Sequence, residues 1–223
     1  MCALRSFLGY SNPHPHEEGD LVRGGPLDDL KISIESADEL LSRYSLPVIG
    51  DVEKYYSVFG FPIIGYYERV GFDFTKYDFS VLANEWVDIY LSKVPYATLR
   101  DGIIETVDKL NALGIKQTIL SMSEENMLRS QIESFGITDK FDEIYGLKDI
   151  YATSKLELAR YWRSTHQGEN VIYVGDTEHD AESAEIIGAK LLMITGGHQS
   201  PETLKALGKP VITAPSEIFE YIK

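Results

Sequence analysis

Asp176 and Asp180 stand four residues apart in the run VIYVGDTEHD. Val171, Ile172, Tyr173 and Val174 precede them without a polar break, as in a strand buried on both faces. Asp180 lies one helical turn beyond Asp176, so both carboxylates can point into one crevice. Paired carboxylates at a strand end suit a hard cation such as Mg2+, which takes oxygen ligands and keeps several waters. The plainer reading makes Asp176 or Thr177 a helix cap, with the acids on a solvated first turn.

Ser121 ends another apolar run, Thr118-Ile119-Leu120. A hydroxyl there, near the N–H groups of a following helix, can hold a phosphate oxygen. Alternatively it is part of a cap, with Ser123 the better cap and Glu124 and Glu125 in the first turn. Lys155, in GLKDIYATSKLELA, opens a helix, where a cation is mildly unfavourable. It is therefore either an exposed surface lysine or one with an acidic partner.

The elements that must hold these residues follow from periodicity. Residues 1–29 are broken by Pro13, Pro15, Gly19, Gly24, Gly25 and Pro26 and read as irregular. Residues 30–93 read as helical, with Leu30, Ile34, Ala37, Leu40 and Leu41 on one face and no convincing strand. Shorter helices are expected at 52–59 and 62–70, and another at 79–91. Beyond Pro95, helical and apolar stretches alternate, which implies βαβ units and a parallel sheet. Ligands bind beyond the carboxyl ends of such strands, a rule that directs attention to Ser121, Gly175-Asp176 and Thr195-Gly196.

The bulk numbers narrow the function. Lys plus Arg is 21 and Asp plus Glu is 35, for a net charge of −14. A surface this acidic repels phosphate backbones and anionic lipid, so neither nucleic acid nor membrane is expected as a partner. An anionic substrate needs a metal ion or a few lysines to reverse the local field. The lone cysteine, Cys2, excludes an intrachain disulfide and suits a cytoplasmic location. The N-terminal ALRSFLGY stretch is too short for a secretory signal.

In order along the chain, a Ser at one strand end, a Lys at a helix start and GDxxxD at a later strand end resemble motifs two, three and four of the haloacid-dehalogenase (HAD) superfamily. The stretch from about Leu30 onward is similar to a capped hydrolase of the phosphoglycolate-phosphatase type. The resemblance implies a Rossmann-like parallel-sheet core (residues 95–223) with a helical cap (30–94). It also implies Mg2+-dependent hydrolysis of a small-molecule phosphate ester. By the same resemblance Ser121 and Lys155 are catalytic and bind phosphate, and Asp176 and Asp180 belong to the metal site, Asp180 supporting Lys155 or the metal. A dehalogenase needs no metal, so GDxxxD as a metal pair argues against that reading.

The family's first motif, DxDGT, supplies an aspartate nucleophile and an aspartate acid–base. Here the matching stretch is LVRGGPLDD, with Val22 and Gly24 at the aspartates, Gly25 at the glycine and Pro26 at the threonine. Residues 1–29 thus replace the first core motif. Three explanations follow. The N-terminal segment is not the natural one, the chain is a catalytically silent protein that binds a ligand or partner, or Asp20, Asp28 or Asp29 is a displaced nucleophile. Loss of the first strand predicts a gapped sheet, with residues 1–25 poorly ordered.

The histidines do not restore the chemistry. His179 is placed to line the site and His198 follows the Gly196-Gly197 turn, but neither has metal-ligand spacing. The cap aromatics Tyr55, Tyr56, Phe59, Phe61, Tyr66, Tyr67, Phe72 and Phe74 would either line a pocket or fill the core of a small helical layer, the latter being the economical reading.

Overall fold

The computed structural model describes residues 7–9, 20–22, 27–147, 155–168 and 170–222. Strands β1 (Phe7–Gly9), β2 (Asp20–Val22), β5 (Gln117–Glu124), β6 (Glu143–Leu147), β7 (Val171–Gly175), β8 (Lys190–Ile194) and β9 (Val211–Ile212) form one sheet. Its parallel order is β6–β5–β2–β7–β8–β9, and β1 pairs antiparallel with β5. A separate antiparallel ribbon joins β3 (Leu27–Asp28) to β4 (Thr98–Leu99).

Alternation along β7 and β8 builds two cores, because successive side chains point to opposite faces. Val171, Tyr173, Leu191 and Met193 join Leu128 and Ile132 of α6 (Glu125–Ser134), Ala159 and Trp162 of α7 (Lys155–Thr165), and Ala184 and Ile187 of α8 (Glu178–Ile187). Ile172, Val174, Leu192 and Ile194 join Leu110 of α5 (Ile103–Ala112), Ile212, and Ile218 of a closing 3-10 turn. A sheet covered on both faces explains why, past the exposed Lys190 at the start of β8, these strands carry no charged residue. Helix α9 (Pro201–Ala206) follows β8.

Between β3 and β4 the chain forms α1 (Leu30–Arg43), α2 (Val52–Val58), α3 (Ile63–Arg69) and α4 (Phe79–Lys93). Leu40, Leu41 and Leu82 are buried between them, with Tyr55, Tyr66, Tyr67 and Phe72. Tyr44 meets Phe72 and Tyr77 edge-on, and Trp86 stacks on Tyr90 at 5.0 Å. The core reading therefore holds for four of the eight aromatics named above. Together these elements make a Rossmann-like α/β core with a helical cap. Among the described residues no helix is long and apolar enough to cross a membrane.

The expected gap in the sheet is not present. Leu21 and Val22 pair with Gln117 and Thr118 on one side and with Ile172 and Tyr173 on the other. The facing edges of β5 and β7 offer unpaired backbone groups, and even a three-residue strand gains by satisfying them. The ribbon of β3 and β4 was also missed, since two-residue strands are too short to show a period of two.

Helix α2 begins at Asp51, whose carboxylate accepts the Lys54 N–H at 2.7 Å. Asp51→Ala is expected to cost about 1 kcal/mol of unfolding free energy, measured by urea denaturation. A loss below a few tenths would mean the cap contributes nothing to seating this helix.

Candidate active site

Ser121 sits where the β5–β6 ladder breaks. Pairing is regular up to Leu120↔Tyr145 and resumes only at Glu124↔Leu147, leaving extra residues on β5. Such a bulge frees backbone groups and re-aims side chains. Ser121 is fully buried, and its Oγ accepts the Ser123 N–H at 3.0 Å.

Lys155 is the first residue of α7 and only 2% exposed. Its ammonium pairs with Asp180 Oδ1, and Asp180 is itself fully buried. The surface-lysine reading is thereby replaced. A cation at a helix start inside the protein needs a counter-charge, and Asp180 supplies it. Tyr173 also donates to Asp180 Oδ1, at 3.1 Å.

Asp180 Oδ2 accepts the N–H groups of Asp176 and Thr177 at 3.0 and 2.9 Å, and the Thr177 hydroxyl at 2.7 Å. Thr177 and Asp180 form a capping box at the start of α8. The helix-cap reading therefore holds for Thr177 and Asp180, although Asp180 is buried and not on a solvated turn. Both of its oxygens are committed to protein donors. Gly175 is required beside it, because a Cβ there would lie 2.1 Å from Asp180 Cβ.

Asp176 differs. Its Oδ2 accepts the His198 N–H at 2.9 Å, while the buried Oδ1 has no hydrogen-bond partner among the described residues. A buried carboxylate oxygen with nothing to bind asks for a cation. This atom fits Mg2+, which uses one or two carboxylates and fills its remaining positions with water and substrate oxygens. Among the described residues no three His, Cys, Asp or Glu side chains gather into a metal cage.

The loop after β8 clamps the loop after β7. Gln199 Oε1 accepts the Glu178 N–H at 2.7 Å, next to the bond from His198 to Asp176. Arg100 Nη1 secures the same loop by donating to Thr195 O at 2.6 Å. From the cap, Tyr56 donates to Gly197 O at 3.1 Å, and Phe61 lies 3.9 Å from the His179 ring. Burial first, and then the Asp176 charge, push the Tyr56 phenol up; Arg100 partly offsets them. Tyr56 therefore stays a hydroxyl donor across the neutral range.

Sequence reasoning directed attention to Thr195-Gly196 and noted His198 after the Gly196-Gly197 turn without giving it a role, and it did not reach Gln199. The strand-end rule could have reached both His198 and Gln199 by extending three residues beyond Gly196. The structure also places the carboxylates considered as displaced nucleophiles. Asp20 pairs with Val171, five residues before Asp176 and about 16 Å below it along parallel strands. It is at the wrong end of the sheet. Asp28 is exposed on the ribbon, and Asp29 is buried, accepting from Tyr90 at 2.9 Å. Val22 ends β2, whereas Gly24, Gly25 and Pro26 lie outside the described residues.

Known proteins resemble this chain in sequence and in fold. The curated phosphoglycolate phosphatase of Rhodobacter capsulatus is 26% identical over 123 residues, 54% of this chain and 56% of that protein. The match thus spans about half the length of that relative. A predicted phosphatase from Clostridium acetobutylicum superposes with a TM-score of 0.75 at 20% identity, over 92% of this chain and 97% of that one. A predicted phosphoglycolate phosphatase from Haemophilus somnus gives 0.69 at 17% identity, over 91% and 96%. Likeness at these identities is a likeness of fold. The sequence profile described as haloacid dehalogenase-like hydrolase matches residues 27–194, about three-quarters of the chain and the whole span from the ribbon to the end of β8. The protein is a member of the haloacid dehalogenase-like hydrolase family.

Proposed function

We propose that the chain is a cytoplasmic, Mg2+-dependent phosphatase for a small phosphomonoester of the phosphoglycolate kind. Residues 30–94 would act as its cap and 95–223 as its catalytic core. The observation that carries this reading is the buried Asp176 Oδ1, without a hydrogen-bond partner among the described residues and held beside a lysine–aspartate pair. Asp176 would ligate the metal, and Ser121 would donate to a phosphate oxygen. Lys155, kept charged and aimed by Asp180, would face the phosphoryl group. Bound Mg2+ supplies the positive charge that lets a phosphate dianion enter so acidic a protein and be attacked there.

The stretch LVRGGPL, from the end of β2 to the ribbon, contains no carboxylate. That observation favours a second reading, in which the same site binds a phosphate ester without cleaving it. Hydrolysis of p-nitrophenyl phosphate, with Mg2+ and with EDTA, separates the two. The phosphatase reading expects Mg2+-dependent turnover that falls at least about 100-fold in Asp176→Ala. Mg2+-dependent phosphate binding without turnover, in folded protein, would select the silent reading. Absence of both would overturn the site assignment.

A further inference from the structure

His198 is held from three directions by groups far apart in sequence. Its Nδ1 lies 2.6 Å from the hydroxyl of Tyr55, on cap helix α2. Its Nε2 lies 3.3 Å from Asp29 Oδ1, at the junction of the ribbon and α1. The other oxygen of Asp29 accepts from Tyr90, on cap helix α4, at 2.9 Å. One assignment satisfies these bonds with a neutral ring: Tyr55 donates to Nδ1, and Nε2–H donates to Asp29. His198 is 2% exposed and Tyr55 is also 2% exposed, so the chain of bonds lies away from water. The backbone N–H of His198 then holds Asp176 Oδ2, while Oδ1 has no hydrogen-bond partner among the described residues.

We infer that His198 is a positioning residue that couples the seating of the cap to the metal-binding orientation of Asp176. This rests on the reading of Asp176 as the Mg2+ ligand. Tyr55 of α2 grips the His198 ring directly, Tyr90 of α4 does so only through Asp29, and the peptide N–H of His198 grips the Asp176 carboxylate. Withdrawal of α2 removes Tyr55 from the ring and loosens the loop that orients Asp176. Coupling between sites is reciprocal, so Mg2+ at Asp176 must in turn favour the seated cap.

Two measurements on the full chain test this. The first is Mg2+ affinity by isothermal titration calorimetry for the wild type, Tyr55→Phe, His198→Gln and Asp176→Ala. The second is hydrogen–deuterium exchange of residues 52–58 with and without Mg2+. Tyr55→Phe keeps the ring and removes only the hydroxyl. It is expected to weaken Mg2+ binding about 10-fold, the effect of losing an outer support of a metal ligand. The wild type is expected to show slower exchange in α2 when Mg2+ is present, and Tyr55→Phe to lose that difference. A purely structural tyrosine would lower the unfolding midpoint equally with and without Mg2+. Wild-type affinity in both Tyr55→Phe and His198→Gln, with Asp176→Ala defective, would overturn the coupling and leave the metal reading standing. Unchanged binding in Asp176→Ala, or no Mg2+ binding by the wild type, would overturn both. If His198→Gln fails to fold, Tyr55→Phe alone decides.

Discussion

Asp180→Ala is expected to destabilise the protein by about 3–5 kcal/mol, the usual cost of removing one partner from a buried ion pair. Lys155 would be left charged inside the protein, and the N–H groups of Asp176 and Thr177 would lose their acceptor. Domain stability is commonly only about 5–15 kcal/mol, so the loss is a large part of the total. Urea denaturation measures it. Asp180→Leu combined with Lys155→Met, which removes both charges, is expected to lie closer to the wild type than Asp180→Ala does, although activity would be lost. A cost for Asp180→Ala below about 1 kcal/mol, typical of exposed pairs, would show that Lys155 reaches water when its partner is gone.

Gly197→Ala is expected to strike the proposed metal site at Asp176. A Cβ at this position would lie 1.9 Å from Asp176 Oδ2 and 2.5 Å from Asp176 Cβ. No rotation of a distant side-chain tip relieves the second contact, so either Asp176 or the loop must move. Displacement of the loop also breaks the bonds from His198 to Asp176 and from Glu178 to Gln199. Mg2+ affinity should fall by about 10–100-fold, as when the outer support of a metal ligand is lost. Calorimetric titration checks this, and unchanged affinity would remove Asp176 from the ligand set.

Some of this site could be read from the amino-acid order and some could not. Asp176, Lys155 and Ser121 are each announced by an apolar run or a helix start, because strand ends and helix starts leave a local signature. The roles of the two aspartates are not local. Asp176 and Asp180 look alike in GDTEHD, and only the fold shows one carboxylate saturated by five donors and the other with one oxygen lacking a partner among the described residues. Tyr55, Asp29 and His198 meet across separations of 143 and 169 residues, which no window of sequence spans. The alternation in β7 and β8 was legible only as unbroken apolarity, since both faces are buried and the period of two has nothing polar to mark it. The strand β2 went unread for the opposite reason. Three residues beginning with an aspartate carry too little pattern, and their place is set by the strands on either side.

The ribbon of β3 and β4 has a wider consequence. Leu27 faces Leu99 and Asp28 faces Thr98, so the chain leaves for the helical layer and returns from it at one seam. Closing a longer or shorter excursion at such a seam costs little, because closure entropy grows only with the logarithm of length. The helical layer can thus be lengthened, shortened or exchanged while the register of β2 against β5 and β7 stays as it is. On the proposed reading, selectivity and chemistry would be, in engineering terms, separate modules on a shared joint, and grafting another helical layer at residues 28 and 98 would be the natural way to redirect the protein.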